Sequence, residues 1–294
     1  MIHIKRNETH RSKNLDLVYK YINREKKKLK EHFAENTFIE DTDRIGLYTR
    51  GFLDKVFELS VLEGDNHREE QIYFLSLIKR FAKAHYILAY HPEEMVEISL
   101  EKGKTHQVKA PKGLKLLVDF NSWLRYLSIF IVLRDREGFD LMLKAKEEYF
   151  RLSNAHYDKL DHILIQFFKA IENPTDTLTL KAFEATEPFV GNYLDEKFAA
   201  EFVLNQFEPL LCVYDALFRQ DDDLFNKELE KALKLHQEYY TDESDDTDHS
   251  ADASKGWISW LLLAPVTMAY DRGVKINVSS EYIPEWLYKK EFDI

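Results

Sequence analysis

The chain has 294 residues, of which 45% are hydrophobic and 14% aromatic, so it can build a sizeable core and is not an intrinsically disordered chain. Its low content of glycine (9) and proline (7) favours long helices over many short strands joined by tight turns. The formal net charge of -11 disfavours binding to nucleic acid or to anionic membranes and favours a basic partner.

The first 92 residues are predicted to be helical. Asn14 can cap the first helix, and many lysines indicate that this helix has a solvated face. The pair His91-Pro92 ends the last helix, because a residue before proline disfavours the helical conformation. Apolar residues at helical spacing place these helices over residues 14–33, 43–62 and 66–90.

Residues 93–110 carry the clearest β signal of the chain. Val96, Ile98 and Leu100 alternate with polar residues, and Gly103-Lys104 supplies a turn. This pattern predicts a small β-hairpin near residues 96–109.

Residues 111–294 are predicted to form a helical core. The segment 115–134 is apolar almost all round, as expected of a central buried helix. Gly273 is expected to cap the last long helix at its C-terminus, before a short extended segment over residues 274–278. The predicted helices of this part cover residues 115–134, 139–150, 158–172, 177–187, 196–218, 222–240 and 257–271.

Two corners between these helices are similar. Leu133-Arg134 and Phe218-Arg219 each end a core helix and lead through acidic residues into an amphipathic helix. A solenoid-type repeat of α-hairpins and convergence on ordinary corner chemistry both explain the likeness. The elements together predict a mostly α fold, a multi-helical α-hairpin stack with one small β-hairpin, in a single domain of residues 1–294.

An acidic loop is predicted over residues 241–254, which contain no lysine, no arginine and no large apolar residue. The loop lacks the spacing of a calcium-binding loop, so a solubilising linker is one interpretation. The other is an arm that engages a basic partner, because opposite charges steer association. On that interpretation the candidate partner-binding residues are Asp242, Glu243, Asp245, Asp246 and Asp248, with Asp221, Asp222 and Asp223 as a second patch.

The familiar signatures of enzymes and cofactor sites are absent from the sequence. It has no glycine-rich phosphate loop, paired-cysteine motif, His-Glu-x-x-His or Gly-x-Ser-x-Gly. Arg80 and His85 have the Arg-x4-His spacing of the helical HEPN ribonucleases. His85 also shares its register with Phe81 on an apolar stripe, which favours a histidine at the edge of the core. We therefore predict a protein that is not an enzyme and that has no cofactor.

Three further observations concern metal binding, the single cysteine and the cellular location. Asp158 and His162 share a helix face and could start a metal site, but an acidic first turn of a helix explains them as well, and we predict no metal. The single cysteine, Cys212, excludes an intramolecular disulfide and is expected to be a small buried hydrophobe. No apolar signal segment opens the sequence, and its apolar runs are too short for a bilayer, so a cytoplasmic location is expected.

Several motifs together carry a family resemblance. An apolar helix in the middle of the chain runs from Asn121-Ser122-Trp123 to Arg134-Asp135-Arg136, after the predicted hairpin. The C-terminal part carries Gly256-Trp257-Ile258-Ser259-Trp260-Leu261, then Ala269-Tyr270-Asp271-Arg272-Gly273-Val274, then Val278-Ser279-Ser280-Glu281-Tyr282-Ile283-Pro284. In order and rough spacing, these motifs resemble the immunity protein 49 family.

The resemblance implies a bacterial immunity protein of a polymorphic toxin system. Such a protein binds one cognate toxin, usually over its active site, and protects the producing cell. The motifs identify the scaffold and supply no active-site residues. An acidic inhibitor would suit a toxin whose active-site groove is basic. Two other hypotheses stay open: a helical-repeat adaptor that binds other proteins, and a HEPN-like ribonuclease that uses Arg80 and His85.

Overall fold

The protein was analysed as a computed structural model, which describes residues 2–9, 15–62, 67–114, 116–152, 157–189, 197–241 and 249–294. The helices are α1 (Leu15–Ala34), α2 (Thr37–Glu40), α3 (Ile45–Ser60), α4 (Arg68–Tyr90), α5 (Phe120–Val132), α6 (Arg136–Leu143), α7 (Glu147–Phe150), α8 (Lys159–Lys169), α9 (Asp176–Thr186), α10 (Lys197–Phe202), α11 (Glu208–Phe218), α12 (Asp222–Tyr239), α13 (Trp260–Asp271) and α14 (Glu285–Tyr288). The strands are β1 (Ile2–Ile4), β2 (Met95–Glu101), β3 (Lys104–Lys109) and β4 (Val278–Ser280). Helices dominate, which confirms the predicted mostly α class. No described helix has the length and the apolar character that a membrane span requires.

Packing divides the chain into two compact units. Unit 1 comprises Met1–Thr9, Leu124–Arg134 and His156–Asp293. Unit 2 comprises His10–Trp123, Asp135–Ala155 and Ile294. The single domain expected from the sequence stays a prediction, because this division concerns packing and not independent folding.

Unit 2 contains the predicted hairpin. Strands β2 and β3 pair antiparallel, with Val96 opposite Val108 and Ile98 opposite His106. The turn between them uses Gly103 at φ 77°, in the left-handed region that glycine adopts without strain. Helices α3 and α4 pack against each other in the same unit, and the ring of Phe81 lies at the centre of their aromatic core. Its ring neighbours are Phe33, Phe38, Tyr48 and Phe52.

Helix α5 begins at residue 120, although the sequence predicts a helix from residue 115. Leu117 has φ 59°, which takes the backbone out of the helical region. Its carbonyl accepts hydrogen bonds from the hydroxyls of Tyr86 at 3.1 Å and Tyr149 at 3.2 Å. Asp119 then caps α5, since its Oδ1 accepts a hydrogen bond from the backbone N–H of Ser122. Side-chain contacts from distant residues therefore decide where this helix starts.

The single helix predicted over residues 139–150 is wrong, because the structure divides it into α6 and α7. In one continuous helix the carbonyl of Met142 would accept the N–H of Lys146. Here it accepts the indole Nε1–H of Trp123 at 3.0 Å and the N–H of Ala145 at 3.2 Å. Buried Trp123 thus replaces a helical hydrogen bond and turns the chain at Lys144–Lys146.

Unit 1 contains the helix pairs α8–α9 and α11–α12. The helix predicted over residues 196–218 is present, but residues 203–207 between α10 and α11 form a π-turn. Pro209 lies just after this turn and has no N–H to donate back to Asn205. The wider turn accommodates the proline without ending the helix.

A second, parallel sheet in unit 1 was not expected from the sequence. Ile2 pairs with Val278 and Ile4 with Ser280. The same N-terminal segment also caps α12, since the side-chain amide of Asn7 donates hydrogen bonds to the carbonyls of Gln237 and Tyr240, both at 2.8 Å. Residues 2–7 therefore hold the end of α12 and the strand β4 in place.

Candidate partner-binding surface

The second acidic patch predicted from the sequence lies at the N-terminus of α12. Asp221, Asp222 and Asp223 are all exposed. Asp221 is the N-cap, and its Oδ1 accepts a hydrogen bond from the N–H of Leu224 at 2.9 Å. Asp222 and Asp223 occupy the first turn and make no ion pair with any described residue. These two carboxylates are thus available to a partner, whereas Asp221 has a role in the fold.

Other acidic residues lie around Cys212 on α11 and α12. Burial raises the pKa of the Cys212 thiol to about 11, and the charges of Glu228, Glu208 and Asp215 add to this effect while Lys231 opposes it. The thiol is therefore protonated at neutral pH and is not activated as a nucleophile. The sequence predicted a buried Cys212, but the residue is only partly buried in the structure.

The predicted acidic loop falls largely outside the described residues. Asp242, Glu243, Asp245, Asp246 and Asp248 all belong to that part of the chain. The residues on either side of it make specific contacts. Tyr239 Oη lies 2.5 Å from His249 Nε2, and their rings are 4.1 Å apart. Trp257 Nε1 donates to the carbonyl of Ala251 at 2.8 Å.

His236 joins α12 to the chain that follows this segment. Its Nε2 donates to the carbonyl of Gly256 at 2.9 Å, and its Nδ1 lies 3.0 Å from the side-chain amide of Gln206. Burial lowers the pKa of His236 to about 4, so the ring is neutral at pH 7 and Nδ1 is an acceptor. We therefore orient the Gln206 amide with its NH2 group toward Nδ1. His236 is therefore a buried residue that stabilises the fold, and it is not exposed for binding a metal or a partner.

The structure does not bring Arg80 and His85 into an exposed catalytic cleft. His85 is fully buried, and its Nε2 donates to the carbonyl of Leu116 at 2.9 Å. A Cβ placed on Gly46 would lie 2.9 Å from the imidazole ring, so the ring fills its site. Burial lowers the pKa of His85 to about 4. A neutral, enclosed imidazole cannot reach an RNA substrate, and the ribonuclease hypothesis loses its geometric basis.

His85 gives the protein a predicted sensitivity to acid. An ordinary histidine has a pKa near 6.5, so the unfolded chain binds a proton first as the pH falls, and stability is lost between about pH 6.5 and pH 4. From pH 7 to pH 5 the loss is about 2 kcal/mol for each such residue, and His236 contributes in the same direction. In urea unfolding at both pH values, His85→Gln should lose about half as much stability as the wild type. An equal loss in both proteins would contradict this assignment.

Asp158 and His162 also have structural partners. Asp158 caps α8 in a reciprocal capping box with Asp161, as an acidic helix start predicts. His162 Nε2 lies 2.7 Å from the side chain of Gln166. Within the described ranges, no group of three or more histidine, cysteine, aspartate or glutamate side chains is arranged to hold a metal ion.

A large cleft lies within unit 2, and sequence reasoning missed it. Its volume is about 710 Å³, and it lies between the end of α4, the connection from α4 to β2, and residues 137–152. The aromatic rings of Tyr90 and Tyr149 line it 4.8 Å apart at an angle of 83°. Burial raises the pKa of both hydroxyls, so they remain protonated. No local pattern could have predicted this cleft, because its walls come from three separate segments.

Comparison with known protein families decides the relationship of this chain. The family profile described as immunity protein 49 matches residues 63–287. The chain belongs to the immunity protein 49 family. Comparisons with curated proteins and with solved structures gave no match. Membership implies an immunity protein with a toxin as its partner, and immunity proteins are generally not enzymes.

Some of the motifs that carry the family resemblance meet in unit 1 of this immunity protein 49 member. The guanidinium of Arg134 donates to both carboxylate oxygens of Asp271, at 3.2 Å and 2.8 Å. It also donates to the carbonyls of Val132, Leu287 and Tyr288. Gly273 has φ 85° and ends α13, as predicted. These motif residues hold helix ends together, so they identify the family without marking the binding surface.

Proposed function

We propose that this protein neutralises one cognate bacterial toxin in the cytoplasm by binding over the toxin's active site. The observation that carries the proposal is the family match across residues 63–287. A helical scaffold supports it, since a preformed surface loses little conformational entropy on binding. The interior position of His85 removes the main competing enzymatic site.

The proposed contact surface is acidic and includes Asp222 and Asp223, with Asp242, Glu243, Asp245, Asp246 and Asp248 from the loop. Their carboxylates would meet a basic groove of the toxin. The net charge of -11 supports this assignment, because complementary charge raises the association rate and favours one orientation. Asp221 belongs to the same patch, but its role as N-cap makes its substitution less informative.

Co-expression tests the proposed function directly. The candidate toxin is the product of an open reading frame next to the gene for this chain. Expressed alone it should kill the host cell, and expressed with this protein it should be harmless. If the cells die equally in both strains, the chain is not the immunity protein for that toxin.

The acidic contact surface leads to a prediction for Asp222→Asn/Asp223→Asn. Removing two unpaired carboxylates should weaken toxin binding roughly ten-fold at low salt and less at high salt, because screening already reduces their attraction. The measurement is the dissociation constant at two ionic strengths. Asp176→Asn/Glu184→Gln is the matched control, since it removes two exposed charges from α9 and one of them lies in the first turn of that helix.

Comparing the two variants separates a direct contact of Asp222 and Asp223 with the toxin from an effect of the protein's net charge. The control variant should keep the affinity and the salt dependence of the wild type. An equal loss of affinity in both variants would assign the effect to net charge alone. An unchanged affinity in Asp222→Asn/Asp223→Asn at both salt concentrations would exclude this patch from the interface.

A further inference from the structure

The cleft in unit 2 is large enough to receive side chains from another molecule. Its volume of about 710 Å³ lies within the range of roughly 300–1,000 Å³ that is typical of ligand sites. Aliphatic residues Ile87 and Leu141 line it together with the rings of Tyr90 and Tyr149. An aliphatic or aromatic side chain would lose contact with water there and gain contact with these residues.

Two exposed lysines that line the cleft favour an anionic group next to them. Glu137 is paired with Lys83 at 2.6 Å, and Glu94 lies 3.0 Å from His91. Lys144 and Lys146 line the cleft, are exposed, and form no ion pair with any described residue.

Three lysines and three glutamates line the cleft, so its positive charge is local to the exposed pair Lys144 and Lys146. A carboxylate held near them would gain charge-assisted hydrogen bonds.

Exposed apolar residues extend beyond the cleft. The side chain of Leu152 lines it and is 42% exposed, and Met95, next in sequence to the lining residue Glu94, is 62% exposed. A small metabolite held inside would leave these side chains in water. A polypeptide segment would cover them, as partners cover the apolar centre of an interface.

We propose that this cleft binds a segment of the partner protein in which an aliphatic or aromatic side chain lies beside a carboxylate. The apolar side chain enters between Ile87, Leu141 and the two tyrosine rings, and the carboxylate contacts Lys144 and Lys146. This inference rests on the proposed function for the identity of the partner.

Two matched peptides test the chemistry of the cleft on the full-length protein. The probes are N-acetyl-Phe-Glu-amide and N-acetyl-Phe-Gln-amide, which differ in one negative charge. Titration is followed through the methyl NMR signals of Ile87, Leu141 and Leu152. The glutamate peptide should shift these three signals selectively and bind at least about five-fold more tightly at low salt, because one additional charged contact contributes about 1 kcal/mol.

Charge reversal on the rim assigns the effect to the two lysines. Lys144→Glu/Lys146→Glu should abolish the preference for the glutamate peptide. Lys102→Glu/Lys112→Glu changes the charge equally at exposed positions of unit 2 outside the cleft and should preserve that preference. Methyl shifts spread over the whole protein, or equal affinities for the two peptides in the wild type, would overturn the proposal. So would 4-phenylbutyrate binding where neither peptide does, because the cleft would then select a small acid.

Co-expression with the toxin separates this inference from the proposed function. If wild-type protein protects the cell and Lys144→Glu/Lys146→Glu does not, while its fold is intact, the toxin uses the cleft. If both protect equally, the cleft is not part of the interface although the immunity function stands. If the wild type itself gives no protection, the proposed function fails and the toxin is not the occupant.

Discussion

Replacing Arg134 with methionine should lower the free energy of unfolding by about 3 kcal/mol. Arg134 makes two hydrogen bonds to Asp271 and three to backbone carbonyls. Its side chain is only 19% exposed, so the carbonyls of Leu287 and Tyr288 have little water to replace the lost donor. Hydrogen bonds to a charged group each contribute about 1.5–3 kcal/mol, and the half-exposed Asp271 adds less.

Two further variants make the Arg134 prediction specific, with urea midpoints as the measurement. Arg134→Lys should lose most of the same stability, because an ammonium cannot reproduce the fork of a guanidinium. Arg219→Met is the matched control at the similar corner after α11. Arg219 is 67% exposed, and Asp215 on its own helix is its one ion-pair partner among the described residues, so we expect a loss below about 1 kcal/mol. Equal losses of stability for Arg134→Met and Arg219→Met would show that the contacts of Arg134 contribute no more to stability than an exposed ion pair does.

Gly256→Ala should destabilise the protein by about 2 kcal/mol through a steric clash. A Cβ at residue 256 would lie 2.6 Å from Cγ and Cδ1 of Tyr240. The ring of Tyr240 is buried and packs 4.9 Å from His236, so it cannot simply move away. A shift of the backbone instead would lengthen the hydrogen bond from His236 to the Gly256 carbonyl. The backbone of Gly256 is not in the left-handed region, so conformational strain does not contribute.

A double-mutant cycle tests the cause of this loss. In a Tyr240→Ala background the additional effect of Gly256→Ala should be less than about 0.5 kcal/mol, because the clashing ring is absent. Gly51→Ala is a control of opposite sign. No described atom outside the backbone of α3 and the adjacent residues lies within 4 Å of a Cβ at this position, and alanine should stabilise the helix by about 0.5–1 kcal/mol. Equal effects of Gly256→Ala with and without the Tyr240 ring would exclude the clash.

Structural features that depend on residues close together in the sequence could be predicted. The alternation of Val96, Ile98 and Leu100 predicted the hairpin, and the chemistry of Gly273 predicted the end of α13. The start of α5 could not be predicted, because it depends on the hydroxyls of Tyr86 and Tyr149, which are distant in sequence. The strand β1 was missed for the same reason, since three residues carry almost no pattern and their partner strand is β4.

The same distinction between local and long-range features applies to the candidate sites. A run of charged residues can be recognised in the sequence, and such residues usually lie at the surface. The structure accordingly shows Asp222 and Asp223 exposed, as the predicted acidic patch requires. Burial depends on packing, and it separates His85 from any substrate although its spacing from Arg80 fits a catalytic pair. The cleft is formed by Tyr90, Lys144 and other residues from separate segments, so only a structure reveals it.

The pairing of β1 with β4 has a consequence for the order in which this chain acquires its structure during translation. Ile2–Ile4 leave the ribosome long before Val278–Ser280, the residues with which they pair, are made. Until then the early segment has no strand to pair with, and Asn7 gains a helix end to cap only when α12 is made. Unit 1 therefore completes its packing only after residue 280 has been synthesised, because contacts between residues so far apart in sequence form late. A truncated translation product that stops before residue 278 would lack this closure, however well its earlier helices form.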